Sequence, residues 1–258
     1  VSAMTTFANQ LCAAFFLASH DAYVKGAFVL PALRAVLSIL LMLLFPDANM
    51  HVVFEEAVLG LVRMGALFGT CLAMAGIVTH DVSSGGLRAA ILTARGREGY
   101  VASRMILALV LAALLGLWSV LLSMTLFLAP GATFEGMPAG ELALRVAAHI
   151  LMGWTYAVFC MLLLWLSRRS RGFASTFFVA VILGAGFLNV VLFVPVMMVL
   201  IPLSQELAFE ALQLIVPILP STLLGDTFVA DARIVVLPAV YVTVCWALAH
   251  RVMTRAQL

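Results

Sequence analysis

The chain has 258 residues, of which 65% are hydrophobic and only 10% charged, and its formal net charge is +2. Soluble domains carry about 25% charged residues, so this composition, with a mean hydropathy of +1.18, excludes a water-soluble globule. The small charge balance gives no basis for a nucleic-acid partner, and the expectation is one all-α membrane domain over residues 1–258, organised by spans rather than by an aqueous core.

At the N-terminal end, TFANQLCAAFFLASHDAY places Phe7, Leu11, Phe15 and Ala18 at helical spacing, with Asn9, Gln10 and His20 elsewhere on the wheel. That pattern predicts an amphipathic helix over about 4–20, lying in the membrane interface. No basic n-region precedes it, so a secretory leader is not expected. A hydrocarbon core of about 30 Å needs about 20 apolar residues per helix, and runs of that length fall at Val24 to Phe45, Ala57 to Thr79, Val101 to Leu128, Leu142 to Leu166, Phe173 to Ile201 and Ile234 to His250. The runs are continuous rather than alternating, which predicts six helices and not a barrel.

The short connections differ in sign. Lys25 precedes the first span; Arg88, Arg95, Arg97 and Arg104 lie between the second and third; Arg168, Arg169 and Arg171 lie between the fourth and fifth; Arg251 and Arg255 follow the sixth. The opposite connections carry Asp47, Glu55, Glu56, Glu135, Glu141, Glu206, Glu210, Asp226 and Asp231. Basic residues stay on the cytoplasmic side, which predicts a multi-pass protein of the cell inner membrane with both termini and the 80–104 segment in the cytoplasm. Between the fifth and sixth spans, SQELAFEALQLIVPILPSTLLGD is too apolar for an ordinary loop and is broken by Pro217 and Pro220. A re-entrant outer segment and an apolar surface lid both fit it.

Motifs for chemistry are missing. GxxxxGKS/T, HExxH and GxSxG do not occur, so no catalytic residue is expected. His20, His51, His80, His149 and His250 stand apart, and Cys12, Cys71, Cys160 and Cys245 are scattered without CxxC pairing; neither a metal site nor a disulfide framework is predicted. GAGFLN, Gly184 to Asn189, lacks the last glycine of a dinucleotide fingerprint and falls in a span. Ionisable and polar groups within spans are candidates for function. Arg34, Tyr156 and Asn189 are the candidates for a translocation path, Tyr156 and Asn189 serving equally well as interhelical hydrogen-bonding groups. Arg63 is expected to snorkel or to form a structural ion pair, with Glu56, seven residues earlier on the same helix face, in its direction. Gly65, Gly69 and Ala73 form a small-residue stripe suited to close packing within the chain or to a dimer seam.

One stretch concentrates charge against this background: LTARGREGYVASRM, Leu92 to Met105, preceded by HDVSSGGLRAAI, in which Asp81 to Ser84 offer N-cap types ahead of a short helix. This segment resembles the permease subunits of type-2 ABC transporters, whose corresponding helix ends in a pattern like LPVSRxxYVxSKY. The matching residues are Asp81, Gly85 or Gly86, Leu92, Arg97, Tyr100, Val101 and Ser103, with Arg104 in place of the usual Lys. Ala94 stands where Pro is common, and Arg95 and Gly96 also differ, although Gly96 can itself supply a turn.

The resemblance implies a permease without its own nucleotide site. A second permease copy or a paralogue would complete the membrane pathway, and a separate ABC ATP-binding subunit, holding ATP and Mg, would dock on the loop between spans two and three. Asp81, Arg88, Arg95, Arg97, Glu98, Tyr100 and Arg104 are then the candidate coupling residues. The implied cargo is hydrophobic or amphipathic: a drug, a peptide or a lipid-like molecule. The alternative is a secondary transporter, which midplane acids would favour; all twelve acids lie at or beyond span ends. An intramembrane enzyme would need a cluster of acid, His or nucleophile at one depth, and the sequence offers none.

Overall fold

The computed structural model describes residues 3–44, 52–85, 96–128, 132–133, 136–167 and 230–255, together with Met198, Pro202, Ser204, Glu210 and Leu224. Helix α1 (Ala3–His20) ends where Asp21 takes over as a cap. Its Oδ1 accepts the backbone N–H of Tyr23 at 2.7 Å and of Val24 at 3.2 Å, satisfying the donors that a new helix leaves open. That cap starts α2 (Ala22–Leu44). The inward face of α1 carries Phe7, Leu11, Ala14, Phe15 and Ala18, while Phe16 and Leu17 point outward. The predicted face is therefore the packed one, and the outer face carries Asn9, Ser19 and His20 together with the apolar Phe16 and Leu17.

Helix α3 runs from Phe54 to Ser83 and contains a π-helical stretch, Arg63–Gly69. Helix α4 (Gly96–Ser123) continues into a 3₁₀ turn, Met124–Leu128. Helices α5 (Ala139–Ser167) and α6 (Arg233–Arg255) follow. Two very short strands, β1 (Val52–Val53) and β2 (Ala132–Thr133), pair in parallel with Val52 opposite Ala132. They tie the start of α3 to the chain beyond α4.

This is an all-α, multi-pass membrane protein. Among the described residues five helices are long and apolar enough to cross a bilayer: Ala22–Leu44, Phe54–Ser83, Glu98–Leu126, Ala139–Leu166 and Arg233–Met253. Each covers a span expected from sequence. The remaining expected span, 173–201, and most of the apolar segment after it lie outside the described residues.

Helix α3 is the central element, with 83% of its apolar window buried, against 22% for α2 and 28% for α6. It packs on α2, α4 and α5, and α5 packs in turn on α4 and α6. Outward residues of α2 such as Val29, Leu33, Val36 and Leu40, and of α6 such as Val236 and Val240, are exposed. Aliphatic outer faces of this kind suit hydrocarbon rather than water.

Close approach depends on glycine. A Cβ on Gly65 would collide with Ser119 Oγ and fall 2.7 Å from the Leu115 carbonyl, and one on Gly153 would collide with the Ala66 carbonyl. Gly65, Gly69 and Ala73 are all buried, so the stripe read from sequence is used for packing inside the chain. Side chains that donate to backbone carbonyls of neighbouring helices add further ties: Trp118 Nε1 to Phe28 O at 3.1 Å and Trp154 Nε1 to Met105 O at 3.0 Å.

Candidate functional site

Among the described residues, a dense polar cluster lies at the end of the bundle where α3 finishes and α4 begins. Asp81 lies inside the last turn of α3 rather than at an N-cap, and the short helix expected after Ser84 falls in residues 86–95, outside the described residues. Ser84 is the C-cap, its N–H donating to the His80 carbonyl at 2.9 Å, and the Ser83 and Ser84 hydroxyls donate to the same oxygen. Gly85 follows at φ +78°, the left-handed conformation that commonly closes a helix. Helix α4 begins at Gly96, φ +52°.

Tyr100 and Arg104 are one helical turn apart on α4, on the face that also buries Leu107, Ala108 and Leu111. That face turns Tyr100 and Arg104 toward α3 and α5, and Asp81 meets them there. Arg104 donates from Nε to Asp81 Oδ2 at 2.8 Å and from Nη2 to Oδ1 at 3.0 Å. The Tyr100 hydroxyl donates to Oδ2 at 2.8 Å. Asp81, Tyr100 and Arg104 are 5%, 3% and 6% exposed, so this is a buried, bidentate ion pair with a third donor on the carboxylate. An acid at a helix C-terminus faces the negative end of the helix dipole; the guanidinium compensates for that position.

The cluster reaches two further helices. The Tyr100 ring lies 6.1 Å from that of Trp165 on α5, tilted by 57°, and the Arg104 guanidinium lies 5.2 Å from the Tyr100 ring centroid, within cation–π range. Ser103 donates to the Tyr100 carbonyl at 2.8 Å. Glu98, well exposed, has its Oε1 3.0 Å from His250 Nε2 on α6.

Of the seven residues read as coupling candidates, three are thus joined to one another inside the protein, and Glu98 faces α6. Arg88 and Arg95 lie outside the described residues. Of Arg97 only the backbone, in the first turn of α4, is described. Beside the cluster, a cavity of about 350 Å³ opens between the α1–α2 elbow and the last turn of α3, lined by His20, Asp21, Tyr23, Ile77, His80 and Asp81 among others. No group of three or more His, Cys, Asp or Glu suited to a metal ion occurs among the described residues.

The path candidates are not assembled in the same way. Arg34 is exposed, and its Nη1 donates to the Gly60 carbonyl at 2.9 Å, on the turn of α3 before the π stretch. Tyr156 is buried in the core at 3% exposure, and Asn189 lies outside the described residues. The Arg63–Glu56 pairing is not formed: seven residues of helix rise about 10 Å, and Arg63 instead lies within electrostatic reach of His149 on α5. The sequence carries no signal for Trp165, and His250 is there one of five scattered histidines. Each sits near the end of its helix, where aromatic and amphipathic rings are common, so nothing local marked them as partners of Tyr100 and Glu98.

Comparison with family models and with curated proteins returns no match.

Proposed function

We propose that this chain is the membrane-spanning permease subunit of an ATP-driven ABC exporter for a hydrophobic or amphipathic substrate. On this reading a separate ATPase subunit docks on the loop between α3 and α4 and supplies the ATP and Mg chemistry. A second permease copy or paralogue completes the pathway, and both termini lie in the cytoplasm of a cell with its inner membrane as the host bilayer.

The observation that supports the reading is the Asp81–Arg104 pair itself. An exposed basic loop explained by topology alone needs no rigid root. Here the root is a buried bidentate ion pair with a tyrosine on the same carboxylate, placed where a force on the loop would reach α3 and α4 together. The docking contacts then belong to the loop arginines, Arg88, Arg95 and Arg97, while Asp81, Tyr100 and Arg104 act behind them.

The test is affinity purification of the tagged full chain from its native membranes, followed by assay of MgATP hydrolysis. An ABC-type ATPase is expected to co-purify, and replacing Arg88, Arg95 and Arg97 together by Ala should lower its recovery at least about tenfold, the loss of a few charge-assisted contacts. Substrate transport by a preparation free of any ATPase would instead establish a secondary transporter.

A further inference from the structure

Two arginines lie deep in membrane spans, away from the Asp81 cluster. At 1.5 Å per residue, Arg63 stands about 13 Å along α3 from Phe54, and Arg34 about 15 Å along α2 from Leu44. They meet at one carbonyl: Gly60 O accepts the Arg63 backbone N–H and also Arg34 Nη1, the latter at 2.9 Å. Each such bond is about 3 Å long, so the Arg34 guanidinium lies within about 6 Å of the Arg63 backbone. A helical side chain covers the turn before its own Cα, which for Arg63 is the turn of Gly60. Both arginines are exposed, and among the described residues neither has a carboxylate partner, the ion pairs there being those of Arg104, Arg145, Arg233 and His250. Glu55 and Glu56 lie in the first turn of α3, and Glu141 is held by Arg145. Arg63 also opens the π stretch and is within electrostatic reach of His149 and Tyr156 on α5; π-bulges recur at functional sites.

We propose that Arg34 and Arg63 form an anion site within the membrane that takes the phosphate head of an amphiphile, whose apolar tail lies along α2. A cation in a span is costly and marks a pathway or a binding site unless it is paired. Snorkelling does not describe Arg34, because its guanidinium ends on a carbonyl about 9 Å inside α3. Two guanidinium forks present more donors than one carboxylate can accept, whereas a phosphate offers oxygens to both. Leu37 and Leu41, three and seven residues beyond Arg34 on the same face of α2, are exposed and supply an apolar wall for the tail. The role of the amphiphile as cargo rests on the permease reading; its binding rests on the geometry alone.

The test uses the full chain in a neutral maltoside detergent and reads equilibrium binding of radiolabelled dodecyl phosphate. Wild type is expected to bind it saturably. Neither inorganic phosphate nor dodecyltrimethylammonium, which has the same tail and the opposite charge, should displace it at equal concentration. Arg34→Gln and Arg63→Gln should each weaken binding at least about tenfold, the loss of charge-assisted bonds. Arg63→Lys, which keeps the charge and loses the fork, should fall between, and Lys25→Gln at the far end of α2 should bind as wild type. Thermal unfolding separates binding from packing: Arg63→Gln should melt no earlier than wild type, since an unpaired cation holds no helices together. Unchanged binding in both Gln variants would overturn the site, as would earlier melting of Arg63→Gln or its dissociation from a dimer to monomers, which would make Arg63 a packing or interface residue. Displacement by inorganic phosphate would overturn the amphiphile in favour of a free anion. With the co-purified ATPase present, dodecyl phosphate should raise MgATP hydrolysis, and Arg63→Gln should lose that response. A wild-type complex that binds the probe without responding would overturn the cargo role and leave the permease reading standing. If no ATPase is found on the wild-type chain, the permease reading falls and takes the cargo role with it, while the binding comparison still decides the site.

Discussion

Asp81 illustrates how a single buried charge is held. Its side chain and that of Arg104 are each 7% exposed, so both ions have lost most of their hydration. Desolvation of two such ions is repaid only by good geometry and by further hydrogen bonds, here the fork of Arg104 and the hydroxyl of Tyr100. Removing one partner leaves the other buried without compensation. Asp81→Ala is expected to destabilise the protein by about 3–5 kcal/mol, whereas Asp81→Leu combined with Arg104→Met should cost far less, since apolar replacement of a whole buried pair is often close to neutral. Thermal unfolding in a mild detergent checks both. Equal losses in the single and double variants would show that packing, not charge pairing, holds this site.

At the scale of the element, α3 is the helix whose shape most affects its neighbours. Its π stretch, Arg63–Gly69, coincides with the residues of closest contact: Gly65 meets Ser119 and Leu115 of α4, and Gly69 meets Ala27 of α2. The wider turn also changes hydrogen bonding, the Thr70 N–H reaching back to the Gly65 and Leu67 carbonyls. Such bulges place local backbone groups where a regular helix would not. Opposite them, Gly153 of α5 lies against the Ala66 carbonyl. Because the obstacle is backbone rather than a movable side chain, Gly153→Ala should cost at least about 1–3 kcal/mol, the usual range for overpacking. A thermal unfolding curve for this variant superimposable on that of wild type would show that α3 and α5 are free to separate.

For the whole molecule, the contacts sort the helix termini into two groups. The His250–Glu98 and Tyr100–Trp165 pairs put the ends of α5 and α6 beside the start of α4. Asp81 adds the end of α3, and the cavity adds the α1–α2 elbow. The Val52–Ala132 pairing marks the other end. Helix α5 therefore finishes at the end of the bundle opposite to the one at which α6 begins, as a crossing over the expected span 173–201 requires. In a Cys12→Ser background, cysteines at Ser83 and Arg251 should react with a membrane-impermeant thiol reagent from one side of the bilayer, and a cysteine at Gly136 from the other. Labelling of Ser83→Cys and Arg251→Cys from opposite sides would break the six-span topology.

The membrane class, the positions of five spans and the N-terminal helix were legible in the sequence because each depends on local quantities: run length, apolar content and helical spacing. The Gly65, Gly69 and Ala73 stripe was legible for the same reason, although not the helices it would meet. At the end of α3 and the start of α4 the sequence indicated which residue types were unusual for so apolar a chain, Asp81, Tyr100 and Arg104 among them, and the resemblance made them coupling candidates, but nothing in it paired them with one another. Their true arrangement depends on the rotation of α4 against α3, which brings together side chains 19 and 23 positions apart. No periodicity within either helix encodes that rotation. Only the tertiary packing decides that the acid, the arginine and the tyrosine face one another, because burying two charges is tolerable only where both find their partners.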